Sequence, residues 1–297
     1  MPQDKVIIPA VSLGKFAKGM LHQQENAVPA GISSRGLYLR PPEDTILFLS
    51  FEKFRGPLTV NINPKHGAIP EIKSDSLVFL SPAKITFPEE GIQINLENAE
   101  VWNASVPSGK LPAETSRSRL ESTIEQTLRL TERNNSQDLF NSVLPGNTIH
   151  IPDIPSFDHH LTQFLAALEQ NKSTMGGEEL SSLLGLGSGL TPLGDDLILG
   201  VILTLNRWGQ VLIPGQGLEE LNDNLLINAK EKTTALSASL LSCAIEGAAD
   251  ERLLAVLDSF FSGDESSPRD LDNLLKWGSS SGIGVLAGMV SVLARLI

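Results

Sequence analysis

Near residue 118 the spacing of apolar residues changes period, from about two to about 3.6, so the chain has to build two different kinds of core. Upstream, Leu37–Arg40, Thr45–Phe51, Leu58–Ile62, Leu77–Leu80, Ile85–Phe87, Ile92–Leu96 and Val101–Val106 are short and rich in β-branched and large apolar residues. Pro- and Gly-containing turns separate them. Ile92, Ile94 and Leu96 alternate with Gln93 and Asn95, the pattern of a half-buried strand. Short strands at this spacing predict an antiparallel β sandwich or barrel. Downstream, Leu120, Ile124 and Leu128 share one helical face, and further helices are predicted at 157–170, 178–184, 191–207, 218–232, 235–247, 251–261, 268–277 and 285–296. A Pro-rich connector is expected between Leu144 and Pro155. The fold class is therefore α+β: a β-rich domain over 1–117, a seam at Pro107–Ser118, and an all-α domain over 118–297.

Charge follows the same division. Residues 1–117 hold 12 Lys+Arg and 12 Asp+Glu, so the whole formal charge of −12 falls on residues 118–297. An acidic chain without a basic face argues against nucleic acid and anionic lipid as partners. The single Cys243 leaves no intrachain disulfide and no multi-Cys metal site. With no export signal at MPQDKVIIPA and no uninterrupted run of about 20 apolar residues, a cytoplasmic location away from membranes is expected.

The richest segment is GLGSGLTPLGDDLILG, residues 185–200. Thr191 is placed to N-cap a helix whose first residue is Pro192. Gly185, Gly187 and Gly189 permit positive φ and close approach of a ligand to the backbone. Amides at a helix start behind such a loop form an anion site by geometry and dipole together. Neither familiar phosphate signature applies. Leu190 occupies the last glycine position of G-x-G-x-x-G, and no Lys follows as a P-loop requires. Asp195 and Asp196 have an ordinary reading, satisfying the helix dipole in its first turn. If an anion also binds, the ligand has to be bipolar, with N–H groups or a bridging Mg²⁺ facing the carboxylates.

Two further clusters share this grammar: Thr233, Thr234 and Ser237 before one helix, and Gly278–Gly288, with Ser281 and Gly282, before the last. Hydroxyls at helix starts are ordinary caps. Three such starts in one helical domain nonetheless predict a shared polar pocket. Weaker candidates are His159-His160 beside Asp153 and Asp158, which cannot both ligate one metal from adjacent helical positions, Cys243 as a small hydrophobe, Glu246 at a helix end, and Arg55 at a turn.

The runs GLGSGLTPLGDD, TTALSASLLSCAIEG and GSSSGIGVLAG resemble the signatures of a bacterial family that includes the AllH-type subunit of oxamate carbamoyltransferase, with GPLTVNI at 56–62 as the clearest match in the β half. The resemblance implies carbamoyl transfer between carbamoyl phosphate and oxamate, giving oxalurate and phosphate, in allantoin and purine breakdown, within an assembly of partner subunits or a homo-oligomer. Carried over by position, it marks Gly187, Gly189, Thr191, Gly194, Asp195 and Asp196 in the first run, Thr233, Thr234 and Ser237 in the second, and Ser281, Gly282 and Gly288 in the third; Asp195 and Asp196 are expected to be catalytic, and the others but Gly288, with Ser188 and Leu190 of the same loop, substrate-binding. No metal or cofactor is implied, and Mg²⁺ enters only through Asp195 and Asp196. The chain departs from the pattern at Gly284, where the family commonly carries an Asp, and at Leu193, where a small polar residue is frequent. Two alternatives stay open: a non-catalytic anion-binding or regulatory subunit, and a Mg-nucleotide enzyme.

Overall fold

The alternating residues of 92–95 pair on both edges, and following those pairings leads around a closed ring. In the computed structural model, which describes residues 6–23, 25–62, 72–108, 110–132, 136–144, 147, 157–170, 176–262 and 267–297, the strands are β1 (Val6–Gly14), β2 (Asn26–Ser33), β3 (Gly36–Arg40), β4 (Leu47–Ser50), β5 (Thr59–Ile62), β6 (Val78–Leu80), β7 (Lys84–Phe87), β8 (Ile92–Asn95) and β9 (Glu100–Trp102). Their order is β5-β4-β3-β2-β6-β7-β8-β1, and β1 pairs back onto β5, closing an eight-stranded barrel with β9 added on β1. Closure removes the open edges that a sandwich would retain.

The barrel is not purely antiparallel, as the strand spacing suggested. β1 runs parallel to β8 and β9, and β4 runs parallel to β5. The reason lies in pairings distant in sequence, which leave no hairpin signature. Residues 6–14, unread as a strand, contact three partners and complete the ring. The short crossover from β4 to β5 is held by buried Asn61. Its Nδ2 donates to the carbonyls of Glu52 (2.9 Å) and Phe54 (2.7 Å), and its Oδ1 accepts from Ser12 Oγ (2.8 Å). A buried amide with these partners replaces the ladder bonds that the loop cannot make. The barrel interior holds Leu37, Leu39, Leu47, Leu49, Val60, Ile85, Phe87, Ile92 and Ile94, joined by Ala17 and Leu21 from one face of helix α1 (Lys15–His22).

The chain divides into two compact units, 1–104 and 105–297. The second contains α2 (Ala113–Thr131), α3 (Ser136–Ser142), α4 (Phe157–Glu169), α5 (Gly177–Ser181), α6 (Leu193–Leu212), α7 (Glu219–Lys232), α8 (Ala235–Ile245), α9 (Glu251–Ser259), α10 (Pro268–Leu275) and α11 (Ser281–Leu296). Most of the connector expected at 144–155 lies outside the described residues, as does Asp153. At its centre α6 and α11 pack face to face. A Cβ on Gly200 would lie 2.0 Å from the Val285 carbonyl, and one on Gly288 would lie 2.1 Å from the Leu197 carbonyl, so this crossing admits only glycine. Below it, buried Arg207 forks onto Asp258 (Nε–Oδ1 2.6 Å, Nη2–Oδ2 2.7 Å) and donates to the carbonyls of Gly247 and Ser105, while Trp208 Nε1 also donates to Asp258. Among the described residues, no helix is long and apolar enough to cross a membrane.

Candidate functional site

Between α5 and α6 the backbone takes positive φ at every second residue: Gly185 (74°), Gly187 (113°) and Gly189 (101°). Two of these are also sterically required. A Cβ on Gly185 would sit 2.1 Å from the Lys232 carbonyl, and one on Gly187 would sit 2.8 Å from the Leu193 amide. The loop is thus wrapped tightly around the start of α6. Gly194 seals the contact, donating its N–H to the Leu186 carbonyl (2.9 Å) with no room for a side chain against Leu183. The tip, Gly187–Leu190, is exposed, and among the described residues none accepts from its amides.

Thr191 does not cap α6. Pro192 occupies the N-cap position with no side-chain cap, and Thr191 Oγ1 instead hydrogen-bonds Ser281 Oγ (2.8 Å) at the start of α11. The hydroxyl is spent on joining two helix starts, and the exposed amides keep the role of cap acceptor open to a ligand. Thr234 does cap its helix, accepting from the Ser237 N–H (3.1 Å), and its hydroxyl also donates to the Leu190 carbonyl (2.7 Å). The three clusters read from sequence are therefore linked by direct hydrogen bonds.

The adjacent aspartates have different surroundings. Asp195 is 2% exposed and fully engaged: Oδ1 accepts the Gly185 N–H (2.7 Å) and Oδ2 accepts the Thr233 hydroxyl. Burial raises its carboxyl, while the bonds from Gly185 and Thr233, and the nearby Ser237 hydroxyl, pull it back. It braces the glycine loop against the α8 start. Asp196 is 1% exposed, and neither of its oxygens has a hydrogen-bond partner. Burial lifts it from 3.8 to about 7, with the nearby Ser281 and Thr191 hydroxyls countering and the Asp195 charge adding. Gly284 of α11 lies directly over it, where a Cβ would stand 2.9 Å from Asp196 Cβ. A side chain at 284 would have to displace Asp196.

The remaining expected residues fall in several classes. Ser188 is exposed in the loop tip, and Leu190 (62% exposed) contributes its carbonyl alone. Ser237 Oγ is buried without a partner. Gly282 is explained by packing, since a Cβ there would meet the Leu274 carbonyl at 1.9 Å. Gly185, read from the sequence as a positive-φ loop position, also orients Asp195 through its N–H, a pairing that depends on the folded loop and leaves no mark in a sequence. Elsewhere, His160 Nδ1 pairs with Glu179 (2.6 Å), Arg55 with Glu100 (3.8 Å), and Glu246 is exposed. Cys243 is buried, and burial pushes its thiol up. No three His, Cys, Asp or Glu gather as metal ligands among the described residues.

A buried carboxylate without partners carries a desolvation penalty that a purely structural site would avoid. Together with the exposed loop tip that leads into α6, it suits a ligand that brings an anion to the loop amides and N–H groups to the carboxylate. No solved structure matches the chain. The segment that holds all three clusters, residues 183–293, matches the model of the family described as oxamate carbamoyltransferase subunit AllH.

Proposed function

We propose that this chain is a carbamoyltransferase subunit that binds carbamoyl phosphate at the glycine loop and passes the carbamoyl group between phosphate and oxamate, in the cytoplasm and alongside partner subunits. The observation that carries this reading is the unpartnered Asp196 beside the exposed Gly187–Leu190 amides, inside the segment that matches the family. Phosphate is placed on the amides of Gly187–Thr191, where the α6 dipole favours negative charge despite the acidic background. Asp195 has no free oxygen, so Asp196 is left to meet the N–H end of the bound molecules. Catalysis then rests on holding donor and acceptor in line and on amides that stabilise charge developing on the departing phosphate.

A thermal-shift panel of carbamoyl phosphate, phosphate, oxamate, oxalurate and Mg-ATP tests this. Carbamoyl phosphate at 100 times its Kd should add about 2.7 kcal/mol of stability, and phosphate alone should add less. Stabilisation by Mg-ATP alone would reject the reading. Carbamoyl phosphate binding without turnover, even with partner subunits supplied, would assign the chain the role of an anion-binding subunit.

A further inference from the structure

The two aspartates stand side by side, yet the fold uses only one of them. Asp195 is tied to Gly185 and Thr233, whereas Asp196 is held among Thr191, Ser281 and Gly284 with both oxygens unbonded. The Thr191–Ser281 bond flanks it and joins the start of α11 to the glycine loop. The carboxylate therefore lies at the junction of two helix starts, next to the loop assigned to the phosphate.

Carbamoyl transfer to oxamate has one difficult feature that positioning alone does not address. The acceptor nitrogen belongs to a carboxamide, whose lone pair is delocalised into its carbonyl, and it cannot attack well while it keeps both protons. We propose that Asp196 is the proton-transfer residue of the reaction, taking a proton from the acceptor carboxamide as that nitrogen attacks the carbamoyl carbon. The N–C bond forms, the C–O bond to phosphate breaks, and its electron pair leaves with the phosphate. The proton on Asp196 then passes to the phosphate, which departs as hydrogen phosphate, and the carboxylate is regenerated. In the reverse direction the protonated carboxyl delivers its proton to the departing carboxamide nitrogen. A carboxyl raised to about 7 can serve in both directions near neutrality. The charged group coupled to it is Asp195 on its own helix, and among the described residues α11 and the loop face it with the Ser281 and Thr191 hydroxyls.

This inference rests on the carbamoyl-transfer reading, and the experiment separates the two. The full chain, with partner subunits where turnover needs them, is compared with Asp196→Asn in three measurements: carbamoyl phosphate binding, transfer to oxamate across pH 5 to 9, and transfer to hydroxylamine, whose nitrogen is already a free nucleophile. Transfer to oxamate should fall by about 100-fold or more and lose the pH limb near 7. Transfer to hydroxylamine should fall by less than about tenfold, and binding should persist. Equal losses with both acceptors would assign Asp196 a merely structural role, and undiminished transfer to oxamate would remove it from the chemistry; either overturns the proposal while the carbamoyl-transfer reading stands. If the unmodified chain binds no carbamoyl phosphate, that reading fails and the proposal fails with it.

Discussion

Replacing Asp196 by Asn should make the protein more stable at pH 8, an uncommon outcome for a buried substitution. The carboxyl titrates at 3.8 ordinarily and at about 7 in the folded chain. Between these values the folded state holds more protons than the unfolded state, so stability falls as pH rises through this window and levels off above it. At about 1.36 kcal/mol per pH unit, burying the charged form costs the fold roughly 4 kcal/mol at pH 8 and roughly 2 kcal/mol at pH 5. Asn has nearly the same shape and no charge. Its amide carries a desolvation cost of its own, about 1–3 kcal/mol, but that cost does not change with pH. The clean quantity is therefore the difference between the two proteins as a function of pH. Urea unfolding of both at pH 5, 6.5 and 8 should show the variant gaining about 2 kcal/mol relative to the parent between the lowest and highest pH. A gap that stays constant within about 0.5 kcal/mol would show that Asp196 is solvated or paired in the folded state, and would refute the assignment of a desolvated, unpartnered carboxylate to this position.

Two other perturbations test the frame around the site. Gly200→Ala should destabilise by about 3 kcal/mol or more in urea titrations, because its Cβ would press on backbone atoms of Val285 and Met289 at 2.0 and 2.8 Å. Gly19→Ala in α1, where nothing lies within 4 Å, should instead stabilise by about 0.5–1 kcal/mol, and a matching loss would contradict the packing argument. Asp258→Ala should cost about 3–5 kcal/mol, since it takes the carboxylate away from the buried Arg207 guanidinium and the acceptor away from the Trp208 N–H; a loss below about 1 kcal/mol would mean water reaches that node.

Much of this organisation is legible in the residues. The change of period separates a β half from a helical half, because strands and helices bury different spacings of apolar side chains. The glycines at 185, 187 and 189 announce left-handed backbone, and all three adopt it. The hydroxyl clusters before α8 and α11 announce helix starts. Such features depend on local stereochemistry, and a local pattern suffices to read them.

Closure of the barrel is a different matter. It depends on β1 meeting β5, β8 and β9, which lie far along the chain, and no local pattern encodes which distant edge a strand joins or in which direction. The glycines at 200 and 288 likewise look like weaknesses in their helices until the two backbones are seen to touch. Within the site, sequence determined that two carboxylates stand in the first turn of α6 behind a glycine loop. Only the tertiary structure decided between them. The Gly185 amide and the Thr233 hydroxyl, remote from each other in the chain, both converge on Asp195, and the bare face of Gly284 covers Asp196 without offering it a partner. Burial and hydrogen bonding set what a carboxylate can do, and both are properties of the packed chain.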